Sequence, residues 1–525
     1  MCIRDRFLIV LGMIGQLSSC DYLDIVPDER AQESDTWKTE GAVRGYLYSC
    51  YGYLPANRTF GNSYWLAEEL TAVTKELFTT FKYGYYSPVS LGFTSNTWST
   101  IWNGIHQCYM FQESLKQVSN EYVTDEMKKQ YLAESNFLIA YYHFLSMRSY
   151  GPTMIIRSVI DLETPISGFP ERSSIDEVVA FINEKLDEAM SEGGLPTTWS
   201  GKDYGRATRL AALALKSRVY LYAASPLYNG NTEMYADFRS PLDGRQLIAQ
   251  EKSQAKWEIS ATQTKYAIDE VEKAKFHLYH DADAGEPSDA KPGLPNKAQR
   301  RLRYTNIDNQ TGNNPEIIWA DTRNDDYYGI QRRCPPRQTL GGKFAGISMT
   351  NCPTLQTIEA FYTKNGLPIN KDKTFDYDER YEYISAPENC DGNNYEDLVK
   401  YANFTPSSDK VMRLCTDREP RFYAWTTYHN GYFEFGKYNN EEISADPAKR
   451  AIRIHLLRDD PHGRGNRTDQ EYSISGFGNK KGVVPSAEWN VIEYPFPLFR
   501  LAELYLNYAE ALVELDRLSE AKVYL

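Results

Sequence analysis

Two short stretches of the chain combine aromatic rings with polar side chains. Aromatic rings offer flat apolar faces, and a tyrosine adds a hydroxyl group that can form hydrogen bonds. Asp, Asn and Arg side chains can bond to pairs of sugar hydroxyls, and a few placed polar groups among aromatic faces are what a small-ligand site needs. The candidate glycan-binding residues are Trp65, Tyr83, Tyr85, Tyr86 and Trp98 in the first stretch, and Asp321, Arg323, Asn324, Tyr327 and Tyr328 in the second.

We expect these two stretches to be loops that meet on one face of a helical body. An alternative stays open, because Trp98 and Trp319 also fit positions in a helical core. Most of the 40 tyrosines are expected to pack between helices rather than to contact a ligand.

The sequence contains no recognisable motif for catalysis. It has no P-loop, no G-x-S-x-G, no H-E-x-x-H and no G-x-G-x-x-G, and its seven histidines are not at metal-ligand spacing. Paired carboxylates can hydrolyse glycosides, but 71 acidic residues do not single out a pair. Asp281 with Asp283, or Asp308, are weak candidates for a structural calcium, without a complete EF-hand pattern. We therefore expect a protein that is not an enzyme, with no catalytic residue, no metal ligand and no cofactor.

The N-terminus has the pattern of an export signal. Arg4 and Arg6 precede an apolar run, and Leu17-Ser18-Ser19-Cys20 follows it. The apolar run is far shorter than the ~20 residues that span a bilayer. Leu-Ser-Ser-Cys resembles a bacterial lipobox, which predicts a signal peptide over 1–19, lipidation of Cys20 and a tether over 20–38. An ordinary signal with a chance cysteine is the alternative.

The amino-acid composition argues against two classes of binding partner. The chain of 525 residues has a net charge of −13 and 42% hydrophobic residues, so it can bury a large core but lacks the basic excess that nucleic acid requires. The same acidic balance argues against electrostatic docking on anionic lipid. We expect contact with the membrane through the N-terminal lipid alone.

Six cysteines remain after Cys2 and Cys20, and they are widely spaced. Without a C-x-x-C pair they argue against a zinc site. Bridges Cys334–Cys352 or Cys390–Cys415 are conceivable in an exported protein, and buried free thiols are an equal alternative. The six are Cys50, Cys108, Cys334, Cys352, Cys390 and Cys415.

Hydrophobic periodicity predicts a mainly α-helical chain. Helices are expected from Thr39, around Trp98–Tyr109, from Thr124 to Gly151, from about Arg206 to Ser225, over about Trp257–Ala274 and from near Phe499. Between about 280 and 495, Asn, Asp, Gly and Pro are frequent, and short β-type runs are predicted at Phe422–Tyr428, Tyr432–Phe435 and Ile452–Leu457.

These elements predict a division of the mature chain into three parts. Residues 39–279 form a helical part with tetratricopeptide-like units, and residues 280–495 form a loop-rich lobe with small β elements. The segment 496–525 resembles a tetratricopeptide helix pair through Asn507-Tyr508-Ala509-Glu510-Ala511 and the residues from Ser519. Because its second helix reaches only Leu525, we expect the sequence to end inside that element.

Several motifs in a fixed order resemble the SusD/RagB family of outer-membrane nutrient-binding lipoproteins. The lipobox, a segment within the helix predicted from Thr124 and the Gly-Pro end of that helix belong to this pattern, as do later segments. They are Asp21-Tyr22-Leu23-Asp24, Phe137-Leu138-Ile139-Ala140-Tyr141-Tyr142, Tyr150-Gly151-Pro152, Ala214-Leu215-Lys216-Ser217-Arg218, Asn314-Pro315-Glu316-Ile317-Ile318-Trp319, Arg418-Glu419-Pro420-Arg421-Phe422 and Phe499-Arg500-Leu501-Ala502-Glu503. Ile139 and Tyr109 depart from the family, where arginine and asparagine are usual.

The resemblance implies a SusD-like helical fold with tetratricopeptide-like units. It also implies non-catalytic capture of oligosaccharides or polysaccharides on the outer surface of the outer membrane, and their delivery to a SusC-like TonB-dependent porin, as in a starch-utilisation-like system. Two alternatives remain: a surface glycoside hydrolase, and a peptide-binding or structural lipoprotein that uses tetratricopeptide-like grooves. Of the family's functional residues, only the lipidated cysteine carries over by position, to Cys20.

Overall fold

A computed structural model describes most of the chain between residues 37 and 525. The described ranges are 37–55, 68–72, 87, 94–161, 163–280, 282–283, 297–308, 314–323, 329–336, 339–340, 343–344, 349–385, 410–434, 451–460, 462–465, 472–484 and 493–525. Cys20, Trp65, Tyr83, Tyr85 and Tyr86 lie outside these residues, and so do Asn324, Tyr327, Tyr328, Asp281 and Cys390.

The described residues are mainly helical. The helices are α1 (Glu40–Tyr51), α2 (Thr94–Leu115), α3 (Asp125–Tyr150), α4 (Ile175–Ala189), α5 (Arg209–Ala224), α6 (Thr232–Tyr235), α7 (Gln254–Lys273), α8 (Lys297–Tyr304), α9 (Ile330–Arg333), α10 (Leu355–Ala360), α11 (Pro420–Trp425), α12 (Leu501–Glu514) and α13 (Leu518–Ala521). Within these ranges, none of the helices has both the length and the apolar character needed to cross a bilayer.

The strands are short and form antiparallel pairs. They are β1 (Leu70–Thr71), β2 (Thr153–Met154), β3 (Arg172–Ser173), β4 (Ile317–Asp321), β5 (Thr339–Leu340), β6 (Lys343–Phe344), β7 (Cys352–Pro353), β8 (Tyr383–Ser385), β9 (Lys410–Met412), β10 (Thr426–Thr427), β11 (Tyr432–Glu434), β12 (Ala451–Arg453), β13 (Gly478–Asn479) and β14 (Phe496–Arg500). The pairs are β1–β7, β2–β3, β4–β14, β5–β6, β8–β9, β10–β13 and β11–β12.

The long helices pack on one another in chain order. Each helix of this series contacts the next: α1 contacts α2, α2 contacts α3, and α3 contacts α4. In the same way α4 contacts α5, α5 contacts α7, and α7 contacts α12. One hydrophobic cluster extends through all of these helices, whereas three smaller clusters lie outside them. We call α1–α5, α7 and α12 the frame, and the described residues between 297 and 484 the lobe. Stacking of successive helices is the arrangement of helical repeat proteins.

Local signals explain where α3 begins and ends. Thr124 accepts a hydrogen bond from the Met127 amide at 3.3 Å, and Asp125 and Glu126 occupy the first turn. Gly151 ends the helix with a φ of 71°, a conformation that favours glycine. These boundaries are the predicted ones. The neighbouring α5 begins at Arg209 rather than near Arg206, because Thr208 provides the N-cap.

Three element predictions need correction. Phe499 does not begin the last long helix: it lies in β14, where it pairs with Trp319, and α12 starts at Leu501. Most of Phe422–Tyr428 is not a strand, because Pro420 starts the short helix α11 and only Thr426–Thr427 is extended. The strand predicted over Ile452–Leu457 is β12, which ends at Arg453.

Helix α4 was not predicted, although its start has a clear sequence signal. The Ser174 side chain accepts from the Glu177 amide at 3.3 Å, and the Glu177 carboxylate accepts from the Ser174 amide at 2.7 Å. This reciprocal pair is a capping box, which an S-x-x-E pattern before an apolar run predicts.

The described cysteines are buried thiols. The proposed Cys334–Cys352 bridge is not formed: Cys352 is a free thiol whose Sγ donates to the Thr71 carbonyl at 3.5 Å. Cys415 is also a free buried thiol. Burial therefore explains these residues better than cross-linking does.

Candidate functional sites

Trp98 lies at the start of α2, beside a surface groove of about 350 Å³ that we call the α2 groove. Its ring meets the Trp102 ring edge-to-face at 5.3 Å and the Tyr150 ring at 4.9 Å. Trp98 remains partly exposed. Neighbouring aromatic rings thus fix its orientation while part of its surface is open to the groove. The groove residues that matter here are Trp98, Trp102, Asn103, His106, Ile156 and Phe169.

The far wall of the groove is attached to the frame through buried His143. The Ile156 amide donates to His143 Nε2 at 3.3 Å, and Nδ1 lies 2.8 Å from the Ile139 carbonyl. Nδ1 therefore carries the proton of a neutral imidazole. Burial lowers the pKa of His143 to about 4, so the ring is neutral at physiological pH. The Tyr109 hydroxyl donates to the Ile156 carbonyl at 2.7 Å and provides a second attachment.

The α2 groove offers both apolar and polar contacts. Phe169 is 50% exposed at its rim, and Asn103 and His106 are exposed beside the tryptophan rings. An aromatic surface flanked by amide and imidazole groups can hold a sugar ring by stacking and by hydrogen bonds to its hydroxyls.

Asp321 and Arg323 are engaged in contacts that support the fold. Arg323 donates to both carboxylate oxygens of Asp321 at 2.9 and 2.7 Å. It also donates to the carbonyls of Leu54 and Pro55, each at 2.9 Å. The guanidinium therefore attaches the end of β4 to the chain that leaves α1. Trp319, in β4, is 2% exposed and donates to the Gly205 carbonyl at 2.8 Å, so it is a core residue.

A second and larger cavity lies between the frame and the lobe, and we call it the frame–lobe cleft. Its volume is about 600 Å³. Helices α5 and α12 contribute Arg218 and Glu503, and the end of β14 contributes Arg500. The lobe contributes Phe361, Trp425 and Lys481. Its size is within the usual range for small-ligand sites.

Two ion pairs fix the arginine side chains on the frame side of the cleft. Arg218 binds Glu503 through two hydrogen bonds of 2.6 Å and donates to the Leu498 carbonyl at 2.8 Å. Arg500 Nη1 lies 2.6 Å from a carboxylate oxygen of Glu316. Two-point pairing fixes a guanidinium more firmly than a single contact does.

On the lobe side, a lysine lies over a tryptophan ring. The Lys481 ammonium is 4.7 Å from the centre of the Trp425 ring, at cation–π distance. The Trp425 indole N–H donates to the Leu302 carbonyl at 3.3 Å, which fixes the ring plane.

Two carboxylates named above as calcium candidates bind protein donors. Asp283 Oδ2 accepts from the His280 amide at 2.6 Å, and Asp308 Oδ2 accepts from the Tyr279 hydroxyl at 2.5 Å. Within the described ranges, no group of three or more His, Cys, Asp or Glu side chains is placed so that it could hold a metal ion.

Comparison with known proteins assigns both ends of the chain to related families. Residues 315–525 match the model of the SusD family. Residues 21–221 match a SusD-like model described as "Starch-binding associating with outer membrane". The chain belongs to the SusD/RagB family. No curated protein sequence matches it.

Solved structures agree with the SusD assignment. The structure named "BT4246" is 28% identical, with a TM-score of 0.74 over 93% of this chain and 81% of the other. A SusD-like protein from Bacteroides fragilis NCTC 9343 is 20% identical, with a TM-score of 0.63 over 95% of this chain and 79% of the other. The predicted fold class, a mainly α tetratricopeptide-like frame with small β elements, is confirmed.

The predicted site of this SusD-family chain is only partly within the described residues. Trp98 lines the α2 groove, and its contact with a ligand stays a prediction. Asp321 and Arg323 are hydrogen-bonded to each other, and Arg323 also donates to the chain that leaves α1. The convergence of the two loops stays a prediction. Sequence reasoning did not find the frame–lobe cleft, because its residues come from segments far apart in the chain and no local pattern connects them.

Proposed function

We propose that this SusD-family protein is a non-catalytic binding protein for oligosaccharides or polysaccharides. It captures them on the outer surface of a Gram-negative outer membrane and delivers them to a SusC-like TonB-dependent porin. Lipid on Cys20 anchors it. The match of residues 21–221 to a family described as starch-binding and associated with the outer membrane carries the proposal.

The α2 groove supports this function. A partly exposed Trp98, held between Trp102 and Tyr150, offers a stacking surface that needs little further ordering when a sugar binds. We propose that the loop with Trp65 and Tyr83–Tyr86 extends this surface.

We propose that the loop after β4 contributes to the same site. Its residues Asn324, Tyr327 and Tyr328 supply polar and aromatic contacts in this proposal, and Asp321 with Arg323 holds the base of the loop.

A glycan array with the intact protein tests the function, and product analysis of the bound glycans follows it. We expect binding without release of shorter sugars. Released sugar would favour a surface glycoside hydrolase, and peptide binding without glycan binding would favour a peptide-binding lipoprotein.

Substitutions then test the site. Trp98→Ala and the double variant Tyr85→Ala/Tyr327→Ala each remove stacking surface, and we expect the double variant to weaken binding by roughly ten- to a hundredfold. Tyr122→Ala is the matched control, because Tyr122 is 36% exposed in the turn between α2 and α3. Unchanged affinity with an intact helical circular dichroism spectrum would remove these rings from the site.

Localisation and partner need separate experiments. Labelled palmitate should be incorporated by cells that make the protein, and Cys20→Ser should abolish the label. Incorporation that persists in this variant contradicts the anchor. A TonB-dependent porin encoded by a neighbouring gene should co-purify with the protein, and its absence from the purified material contradicts the delivery role.

A further inference from the structure

The frame–lobe cleft differs from the α2 groove in its charges. The side chains that line it include three cationic groups, Arg218, Arg500 and Lys481, and two carboxylates, Glu69 and Glu503. The whole chain carries a net charge of −13, and Glu316, which binds Arg500, brings the carboxylates around the cleft to three, equal to the cations. An anionic ligand would therefore need a cation that has no carboxylate partner of its own.

The two arginines are already compensated. Arg218 binds Glu503, and Arg500 binds Glu316, with N–O distances of 2.6 Å in both pairs. Their guanidinium groups therefore shape the frame wall, and a ligand would have to compete with a carboxylate to use them.

Lys481 differs from the two arginines in its ion-pair partners. Among the described residues, no carboxylate lies within 4.0 Å of its ammonium group, which lies over the Trp425 ring. The residue as a whole is exposed, while desolvation of the ammonium group and the charge of Arg500 lower the pKa of Lys481. Two hydrogen bonds hold the turn that contains this lysine. The Lys481 amide donates to Asn479 Oδ1 at 3.1 Å, and Asn479 Nδ2 donates to the Lys481 carbonyl at 3.2 Å. This turn thus places the Lys481 ammonium beside the ring of Trp425, the last residue of α11.

Glu69 lies in the same cleft as Lys481 and Trp425. Its exposed carboxylate lines the same cleft, at the start of β1, and forms no ion pair with a described residue. A carboxylate accepts hydrogen bonds only, so it fits a ligand that offers hydroxyl donors. The cleft therefore combines an apolar ring face, a hydroxyl acceptor and a cation.

We propose that the frame–lobe cleft is a second saccharide site, distinct from the α2 groove, and that it binds a sugar ring carrying a carboxylate. The sugar face packs near Trp425, its hydroxyl groups donate to Glu69, and its carboxylate accepts from the Lys481 ammonium. This inference rests on the proposed function, because it takes the ligand to be a glycan.

The test compares acidic oligosaccharides with their neutral methyl esters in titration calorimetry on the intact protein. Oligogalacturonate, oligomannuronate and hyaluronan fragments are the probes. At least one acid should bind about tenfold more tightly than its ester, since hydrogen bonds to charged groups are the stronger class. Lys481→Gln should remove that tenfold preference and leave the affinity for the ester unchanged, which is the signature of a direct pair.

Two controls separate a charge contact from a general effect. Lys129→Gln removes the same charge from an exposed position of α3 and should preserve the preference for the acid. Trp425→Phe should weaken acid and ester alike. Circular dichroism and urea midpoints show whether each variant is folded.

Three outcomes would overturn the inference. If neutral glycans bind on the array but no acid is preferred to its ester, the cleft is not an acidic-sugar site, while the proposed function stands. The same holds if the preference survives Lys481→Gln. If no glycan binds at all, both proposals fail.

Discussion

Replacing Arg206 by methionine is expected to lower the free energy of unfolding by about 3–5 kcal/mol at pH 8, because it leaves a buried carboxylate without its cation. The carboxylate is Glu134 in the middle of α3, whose side chain is 0% exposed. It accepts hydrogen bonds from Arg206 at 2.5 and 3.2 Å and from the Tyr51 hydroxyl at 2.6 Å. The cluster holds the chain before α5 against α1 and α3.

The expected loss depends on pH in a defined direction. Burial raises the pKa of Glu134, and hydrogen bonds and charge attraction from Arg206 act against that rise. Without Arg206 the pKa of Glu134 rises further above its usual value of 4.5. A carboxyl group whose pKa is higher in the folded than in the unfolded state loses stability as pH rises between these two values. The deficit of Arg206→Met should therefore be smaller at pH 5 than at pH 8.

Urea denaturation followed by tryptophan fluorescence at pH 5 and pH 8 measures this difference, with the parent protein measured beside each variant. The double variant Glu134→Gln/Arg206→Met removes both charges and should be more stable than Arg206→Met alone at pH 8. Asp203→Asn is the matched control: Asp203 binds the same guanidinium at 2.8 Å but is 20% exposed, and its loss should cost about 1 kcal/mol or less. A deficit of Arg206→Met no larger than that of Asp203→Asn, and equal at both pH values, would refute the reasoning.

Two further predictions concern buried positions of the frame. His143 has a pKa of about 4 against a usual 6.5, so the unfolded state binds more protons in that window. Stability should then fall by up to about 1.4 kcal/mol per pH unit as pH drops from 6.5 towards 4. His143→Gln should flatten this slope in urea titrations, whereas His106→Gln, at an exposed position, should keep it. Gly104→Ala places a Cβ 2.7 Å from the Tyr142 ring and should cost about 1–3 kcal/mol. Gly45→Ala meets nothing within 4 Å and should gain about 0.5–1 kcal/mol.

Each of these has a contradicting result. An unchanged pH slope in His143→Gln would mean that another group controls acid unfolding. A Gly104→Ala variant as stable as Gly45→Ala would mean that the Tyr142 ring moves freely, against its 0% exposure and its 2.6 Å hydrogen bond to the Cys50 carbonyl.

The helical frame could be predicted because its signals are local. The N-cap at Thr124, the acidic first turn of α3 and the glycine after Tyr150 act within a few residues of each helix end, and the structure uses them as expected. The capping box of Ser174 and Glu177 is equally local and could have revealed α4. Family motifs added the fold class, because their order along the chain is itself a sequence property.

Elements that depend on distant partners could not be predicted in the same way. Phe499 continues a helical pattern in sequence but lies in β14, because its backbone pairs with Trp319, far earlier in the chain. Sheet pairing of this kind is decided by packing on both strands, and intrinsic strand preference is a weak guide to it.

The sequence by itself determined most of the long helices, the ends of α3 and the family of this protein. Only the tertiary structure decided which side chains face a common space. Trp98 lines the α2 groove, where the Trp102 and Tyr150 rings contact it. Lys481 lies over Trp425 in the frame–lobe cleft, which Arg218 of the frame also lines. The physical reason is range: a cap or a helical repeat is satisfied within a few residues, whereas a cavity forms where surfaces from distant segments meet without filling the space between them.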